Sequence, residues 1–384
     1  MRSISILGAT GSVGTSTLDL IRQDRAAWQV EALTANGNVA ELAALAREFS
    51  ARVAVVADET RLPALREALA GGGTEAAGGR AALCEAAARP VDVTVAAIVG
   101  CAGLGPVMAA IEQGGTIALA NKEALVSAGE ILKASVVKHG ATLLPTDSEH
   151  NAIFQCLSGN DIKDVRRILL TASGGPFRGF SAAQLANVTR EQALKHPNWA
   201  MGAKITIDSA TMFNKGLELI EAHHLFPVGL DRIEIVVHPQ SIIHSMVEYR
   251  DGSMLAQLGP SDMRVPIASC LAWPRRMDTP MAPLDLPAIG QLTFERPDEV
   301  VFPATRLCRE AIAAGGAAPA MLNAANEVAV AAFLAGQIPF TRIALSVEQI
   351  LNDTAVSSAP ASLDEVLALD SETRARAAAL LETA

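Results

Sequence analysis

The first 147 residues repeat one arrangement, a short apolar run followed by an Ala/Leu-rich stretch with helical spacing. The runs are "SISILG", "QVEALT", "RVAVVA", "VDVTVAAIVG", "TIALAN" and "ATLLPT". They are short, rich in β-branched residues and carry no regular polar alternation, which is the pattern of strands buried on both faces. Strands of that kind separated by helices form a parallel sheet covered on both sides. The sequence therefore predicts an α/β fold that opens with a Rossmann-like parallel sheet. The Gly/Ala-rich "AGGGTEAAGGRAAL" lacks the Gly-Lys-Ser/Thr ending of a phosphate-binding P-loop and reads as a loop and helix start.

From about residue 150 the pattern changes. "RRILLTASGG", "AKITIDSA", "RIEIVVHPQ" and "SIIHSMVEYRDGSMLAQLG" read as strands, the last a hairpin turned by Asp251-Gly252. This predicts a second α/β domain with a mixed sheet. Six prolines between Pro274 and Pro303 mark an extended linker, because proline continues neither a helix nor a central strand. Four segments beyond it carry apolar residues at helical spacing and predict a C-terminal helical bundle. A chain of 384 residues suits such a multidomain plan. The expected division is 1–147, 148–273, a linker at 274–303, and 304–384.

Composition narrows the function. A net charge of −10 with no block of Lys or Arg argues against a nucleic-acid partner, since neutralising phosphates needs a basic surface. No apolar run reaches the roughly 18 residues that span a membrane, and "MRSISILGAT" enters a strand instead of a signal-peptide core. The expectation is a soluble, cytoplasmic protein with no membrane partner. Cys84, Cys101, Cys156, Cys270 and Cys308 lie far apart without C-x-x-C spacing, which disfavours a zinc site or a disulfide framework.

Directly after the first strand comes "GATGSVG", with Gly8, Gly11 and Gly14 three apart, leading into the helical "TSTLDLIRQ". Glycines let the backbone turn tightly and approach a pyrophosphate, whose charge meets the positive end of the following helix. Placed between strand and helix, the motif points to a dinucleotide. An acid about 20 residues on would bond the ribose hydroxyls of NAD. Here Thr34, Ala35, Asn36, Gly37 and Asn38 fill that place, so NADP is favoured, though no arginine settles it.

The fifth predicted strand ends in Asn121, Lys122 and Glu123, and the sixth in Asp147, Ser148 and Glu149. Carboxyl ends of open parallel sheets bind ligands, so both groups belong to one crevice with the cofactor. "TDSEHNAIFQCL" equally suits a helix start, with Asp147 or Ser148 as cap and Glu149 in the first turn. In the second domain Asn214 and Glu218 are four apart and Lys215 and Glu218 three apart on one helix face. Ser209 at the preceding turn, the helix N-terminal amides, Asn214 and Lys215 make a phosphate cradle, and Ser173 in "TASGGPF" offers a second hydroxyl; a surface ion pair and a simple turn are the plainer readings. "ALKHPNWAMGAK" has no clear period and suits a lid over a site, or a loop anchored by a core tryptophan.

Together, "GATGSVG", "ANKEALVS", "PTDSEHNAIFQ", "TASGGPF", "HPNWAMGAKITIDSATMFNKGLELIEA", "HPQSIIHSMV" and "LNAANEVAVAAFL" resemble the 1-deoxy-D-xylulose 5-phosphate reductoisomerases. The resemblance runs from the first strand to the C-terminal helices. It implies conversion of that sugar phosphate to 2-C-methyl-D-erythritol 4-phosphate with NADPH and Mn²⁺ or Mg²⁺, on the non-mevalonate route to isoprenoids. It also implies a homodimer with cofactor, catalytic and helical domains. Matched motif to motif, it places metal ligands at Asp147, Glu149 and Glu218. Substrate contacts fall on Lys122, Ser148, Glu149, Ser173, His196, Ser209, Asn214, Lys215 and Glu218, with Lys122, Glu149 and His196 catalytic. Cofactor positions fall on Thr10, Gly11, Ser12, Val13, Asn36, Gly37, Asn38, Asn121, Glu123 and Gly202.

Two departures stand out. Many relatives read A-G-K-N where this chain has Ala35-Asn36-Gly37-Asn38, so a lysine beside the 2′-phosphate is missing. "GPSDMR", Gly259 to Arg264, replaces a G-x-P-D-M-R order. Two other classes share a glycine-rich start. A semialdehyde dehydrogenase needs a thiolate nucleophile, for which Cys156 is the nearest thiol in sequence. A cofactor-sensing regulator would leave the carboxylates and phosphate cradle without a purpose.

Overall fold

Every strand of the N-terminal part pairs in parallel in one sheet of seven. In the computed structural model, which describes residues 1–199, 201–353 and 358–382, these are β1 (Arg2–Leu7), β2 (Trp28–Ala35), β3 (Val53–Val56), β4 (Glu75–Gly78), β5 (Val93–Ala96), β6 (Thr116–Leu119) and β7 (Thr142–Pro145). Their order is β4-β3-β2-β1-β5-β6-β7. The chain winds outward from β1 to β4 and then outward on the other side to β7. That reversal at β1 opens a crevice at the carboxyl edge of an α/β sheet. Strands β3 and β5 are buried along their whole length, as helices on both faces require.

One strand is a correction. The segment expected to be a loop contains β4, in register with β3 from Val53 opposite Glu75 to Val56 opposite Gly78, and the helix Arg80–Ala87 follows. The strand "EAAG" has no β-branched residue and lies at the sheet edge. Its signal is the backbone pairing offered by β3, which the local sequence does not carry.

The chain's contacts group it into two units. The first comprises Met1–Ala124, Leu132–Asn151 and Met263–Pro280; the second comprises Leu125–Ile131, Ala152–Asp262 and Met281–Ala384. Within the first, the helix Arg264–Ala272 returns from far along the chain to pack on the helix Ser12–Gln23 and on β6 and β7. Arg264 pairs there with Asp19 at 2.7 Å.

The second unit holds β8 (Val165–Ala172), β9 (Ile233–Val237), β10 (Ile243–Tyr249) and β11 (Met254–Leu258), in the order β11-β10-β8-β9. Pair β8–β9 is parallel and the others are antiparallel, giving the expected mixed sheet. The β10–β11 hairpin turns where Gly252 takes φ +87°. "AKITIDSA" is a second correction: it is a helix, Ala203–Thr211, and not a strand. Its short β-branched run looks extended, yet Thr206, Ile207, Ala210 and Thr211 recur at helical spacing and are buried. The hydroxyls of Thr206 and Thr211 bond back to Gly202 and Ile207 carbonyls at 2.8 and 3.0 Å, which absorbs their polarity inside the helix.

Four helices follow as expected: Ala304–Ala314, Ala318–Leu334, Arg342–Asp353 and Leu363–Glu382. They share one hydrophobic cluster with the mixed sheet, running from Ile168 and Phe213 through Cys308 and Leu322 to Val347. Gly216 permits this closeness, since a Cβ there would lie 2.5 Å from Cys308 Sγ. In the proline-rich stretch, Leu286–Ile289 is a short helix and Glu295 pairs with Val237 through two 2.9 Å backbone bonds. Among the described residues no helix is long and apolar enough to cross a membrane.

Candidate active site

The first unit builds a glycine turn and an acidic rim on the same edge of its sheet. Gly8 follows β1 at φ +91°, and a Cβ on it would lie 2.7 Å from the Ala97 carbonyl oxygen. A Cβ on Gly14 would lie 2.3 Å from the Gly8 oxygen, so both must be glycine for the turn to close. Gly11 is the N-cap of the helix Ser12–Gln23 and supplies no side-chain cap. Gly11 and Ser12 are exposed, and Thr10 and Val13 half-buried. The arrangement leaves a helix N-terminus open to an anion, as a pyrophosphate requires.

At the end of β2, Asn36 is exposed and Gly37 half-buried. Asn38 caps the helix Val39–Glu48: its oxygen accepts from the Glu41 N–H at 3.4 Å and its amide donates to the Glu41 carboxylate at 2.6 Å. At the end of β6, Asn121 is buried. It caps the helix Lys122–His139 by accepting from Ala124 N–H at 2.7 Å, and its amide donates to the carbonyls of Ile98 and Gly100. It thus ties the loop after β5 to the start of this helix. Glu123 lies buried in the same first turn, on the favourable side of the helix dipole.

Lys122 reaches from this turn to the end of β7, where its Nζ donates to Asp147 Oδ2 at 2.6 Å. Asp147 Oδ1 accepts from the Glu149 N–H at 3.2 Å and faces His150 Nδ1 at 3.0 Å. Ser148 Oγ donates to Glu149 Oε2 at 2.5 Å. The helix Ser148–Leu157 therefore does start here, with Asp147 holding its first turn. The lysine and the acid are 7% and 10% exposed, so the charges stabilise one another in a nearly dry setting.

The second unit builds a different cradle. Ser173 directly follows β8, and Gly174 and Gly175 come next at φ +82° and +69°. A Cβ on Gly175 would lie 2.7 Å from the Ser209 carbonyl, which brings the two serine-bearing segments together. Ser209 sits in the last turn of its helix, and Met212 at φ +68° turns the chain into the helix Phe213–Leu225. There Asn214 Nδ2 and Lys215 Nζ both donate to the Glu218 carboxylate. Lys215 and Glu218 are buried.

His196 closes onto this cradle. Its Nδ1 accepts from the N–H groups of Asn198 and Trp199 at 3.2 and 2.9 Å, which leaves the proton on Nε2, 3.1 Å from Ser173 Oγ. Ser173 Oγ also accepts from Gly175 N–H at 3.1 Å, so its own proton is left to donate. Burial lowers the His196 pKa to about 4, and the ring is neutral at pH 7. Asn198 donates to the Pro239 carbonyl at 2.6 Å and Trp199 packs on His244 with ring centroids 6.0 Å apart. Gly202 is the exposed N-cap of the helix Ala203–Thr211.

Comparison with known proteins bears on this arrangement. Models of 1-deoxy-D-xylulose 5-phosphate reductoisomerase match residues 4–129, and models of its C-terminal domain match 143–226 and 258–376. The reductoisomerase of Zymomonas mobilis is 58% identical over 382 residues, covering 100% of this chain and 98% of that protein. The chain belongs to the 1-deoxy-D-xylulose 5-phosphate reductoisomerase family. The relative from Afipia carboxidovorans is also 58% identical, over 99% of this chain and 94% of its own. A Zymomonas mobilis reductoisomerase structure in complex with NADPH superimposes with a TM-score of 0.94 at 56% identity, over the full length of both chains. A reductoisomerase in complex with NADPH, fosmidomycin and magnesium gives 0.95 at 44% identity, covering 100% of this chain and 98% of that one.

Membership of this family leaves no role for Cys156 as a dehydrogenase nucleophile, and the chemistry agrees. It lies buried in the helix Ser148–Leu157, and burial pushes its pKa up to about 11. Reading the sequence missed His150, which shares the first turn of that helix with the acid pair and is fully buried against Asp147. Its signal was the i,i+3 spacing from Asp147. Asn151 was missed too; its amide holds the Pro145 carbonyl at 2.9 Å and fixes the end of β7.

Proposed function

We propose that this chain converts 1-deoxy-D-xylulose 5-phosphate to 2-C-methyl-D-erythritol 4-phosphate, oxidising NADPH and requiring a divalent cation. The observation that carries the reading is the rim of the parallel sheet. The glycine turn ends β1, and Lys122 with Asp147 and Glu149 ends β6 and β7. Three strand spacings separate β1 from β7, roughly 14 Å at about 4.8 Å each. A dinucleotide whose pyrophosphate rests on the turn would carry its nicotinamide toward the acid pair.

The residues suit both groups. The uncapped helix N-terminus and the two obligatory glycines fit a pyrophosphate. Asp147, Glu149 and Glu218 would hold Mn²⁺ or Mg²⁺, since carboxylate oxygens are the donors hard cations prefer. Asp147 and Glu218 are each closed by a lysine ammonium, so both carboxylates lie where a positive charge is needed. When bound, the cation polarises the substrate carbonyl and neighbouring hydroxyl, and NADPH supplies the hydride.

The chain's own residues do the rest. Ser173, Ser209, Asn214 and Lys215 bind the phosphate, and this remote contact orients the reacting carbons. His196 steadies Ser173 through its Nε2–H, while Trp199 excludes water as the segment closes. Lys122 donates to substrate oxygens and stabilises negative charge that develops there. In the same reading, 1–147 serves NADPH, 148–273 serves metal and substrate, and 304–384 completes the catalytic core as a helical domain joined through 274–303. The remaining cofactor contacts are Thr10 to Val13, Asn36 to Asn38, Asn121, Glu123 and Gly202. The working form is a cytoplasmic homodimer.

The test is NADPH oxidation by the purified protein with deoxyxylulose phosphate, with and without Mn²⁺, repeated with NADH. Turnover that requires both substrate and cation is expected. No NADPH consumption in the complete mixture would overturn the reading.

A further inference from the structure

The turn after β2 carries no acid to bond ribose hydroxyls and no base to hold a 2′-phosphate. Its two side-chain amides carry no charge: Asn36 is exposed, and Asn38 is committed to capping and lies against the Glu41 carboxylate. If NADPH is the cofactor, the positive charge that recognises its 2′-phosphate comes from another strand. Adjacent β3 ends in Asp58 and a single 3-10 turn, Glu59–Arg61. Asp58 N–H donates to the Asn36 carbonyl at 2.9 Å, and Ala57 N–H to Ala35 at the same distance, so the two turns are laced together. Asp58 Oδ1 then takes Thr60 N–H and Oγ at 3.1 and 2.6 Å, which fixes the 3-10 turn.

This places Arg61 beside Gly37, its Cγ 4.0 Å from where a Cβ on that glycine would stand. The Arg61 side chain is 62% exposed and its Nε lies 3.6 Å from Asp58 Oδ2, so it is oriented with its terminal guanidinium nitrogens open. Arg52 and Arg89 precede β3 and β5 at the opposite, amino edge, where both pair with Glu31. The gap left by Gly37 is on the same side as the ribose end of a dinucleotide in a doubly wound sheet.

We propose that Arg61 is the specificity-determining contact to the 2′-phosphate, standing in from β3 for a base that the β2 turn does not supply. This rests on the NADPH reading above and adds the residue responsible for choosing NADPH over NADH. A guanidinium suits the task because it presents a planar fork of donors to phosphate oxygens.

The experiment compares calorimetric binding of adenosine 2′,5′-bisphosphate and of AMP to wild type, Arg61→Ala and the double variant Gly37→Lys with Arg61→Ala. Michaelis constants for NADPH and NADH are measured alongside. In Arg61→Ala the preference for the bisphosphate over AMP is expected to fall on the order of tenfold or more, matching a lost charge-assisted bond. The ratio of NADH to NADPH Michaelis constants should fall with it. A Cβ at position 37 meets only ordinary contacts, so Gly37→Lys is accommodated and should restore part of the preference. An unchanged preference in Arg61→Ala overturns the proposal, as does an equal loss for both nucleotides, which would mean a damaged adenosine pocket. Failure of wild type to bind either nucleotide would instead sink the NADPH reading itself.

Discussion

Two buried lysines each close a carboxylate largely withdrawn from solvent, and they reach it by different routes. Lys215 and Glu218 are three residues apart on one helix, so helical periodicity alone makes them neighbours. Lys122 and Asp147 are 25 residues apart, and meet because β6 and β7 are adjacent strands that both end at the carboxyl edge of the sheet. The helix pair is cheap to encode but tolerates little rearrangement. The sheet pair depends on the whole topology, and in return it comes with other groups delivered to the same edge: Glu149, Ser148 and the His150 ring. The second kind of assembly is what lets a Rossmann-like sheet carry a reactive rim.

The strongest way to break this comparison is to neutralise one acid of each pair. Asp147→Asn and Glu218→Gln should each lower turnover at least about a hundredfold and weaken Mn²⁺ binding in calorimetry, since each removes a ligand charge from the proposed cation. If only one variant lost Mn²⁺ affinity, the two pairs would serve different ends. The next test removes the lysines. Lys215→Met leaves Glu218, 1% exposed, without its ammonium and should cost about 3–5 kcal/mol in metal-free denaturation. Lys122→Met should cost less, because Asp147 is 10% exposed and still faces the Glu149 N–H and His150, whereas Glu218 keeps only the Asn214 amide among the partners described above. Added Mn²⁺ should recover part of both losses if a cation takes the ammonium's place. Equal costs that Mn²⁺ does not reduce would mean that the pairs are purely structural.

The same contrast explains what the sequence could disclose. Motifs closed by local periodicity were legible: the glycine turn, the Asn214, Lys215 and Glu218 face, and the start of the helix at Ser148. Elements made by long-range pairing were not. Strand β4 is invisible in "EAAG" because β3 supplies its reason to be extended, and His150 matters only once its ring is seen buried against Asp147. The helix Ala203–Thr211 was mistaken for a strand because two isoleucines, Ile205 and Ile207, alternate. Its helical face shows only when Ala210 and Thr211 are counted with Thr206 and Ile207. The split of the chain into interleaved units was also hidden, since nothing near Arg264 announces a partner as distant as Asp19.

A smaller effect probes the loop beside the helix cradle. His196 has a pKa near 4, below the ordinary value of 6.5, so between those values the folded state holds fewer protons than the unfolded one. Its contribution to stability is complete above pH 6.5 and is lost as the pH falls toward 4. Protonating Nδ1 would also break the acceptor role that holds Asn198 and Trp199. His196→Gln should therefore lose less stability than wild type between pH 7 and pH 5 in urea unfolding. Parallel losses in the two proteins would assign the acid sensitivity elsewhere.

The smallest expected effect returns to the sheet rim and concerns Asn38, which the family resemblance places against the cofactor and the structure places at a helix start. A lost N-cap typically costs about 1 kcal/mol, and serine satisfies the same N–H nearly as well as asparagine. Asn38→Ala should thus lower the unfolding free energy by about 1 kcal/mol, while Asn38→Ser stays within a few tenths. NADPH affinity separates the two roles, because a hydroxyl replaces the cap but does not reproduce a two-donor amide. If Asn38→Ser keeps stability and also keeps NADPH affinity, Asn38 acts by shaping the β2 turn, where Gly37 lies against the Arg61 of the neighbouring β3 turn. A serine variant that is stable yet binds NADPH poorly would show the amide reaching the nucleotide directly, and the recognition of its ribose end would then be shared between β2 and β3.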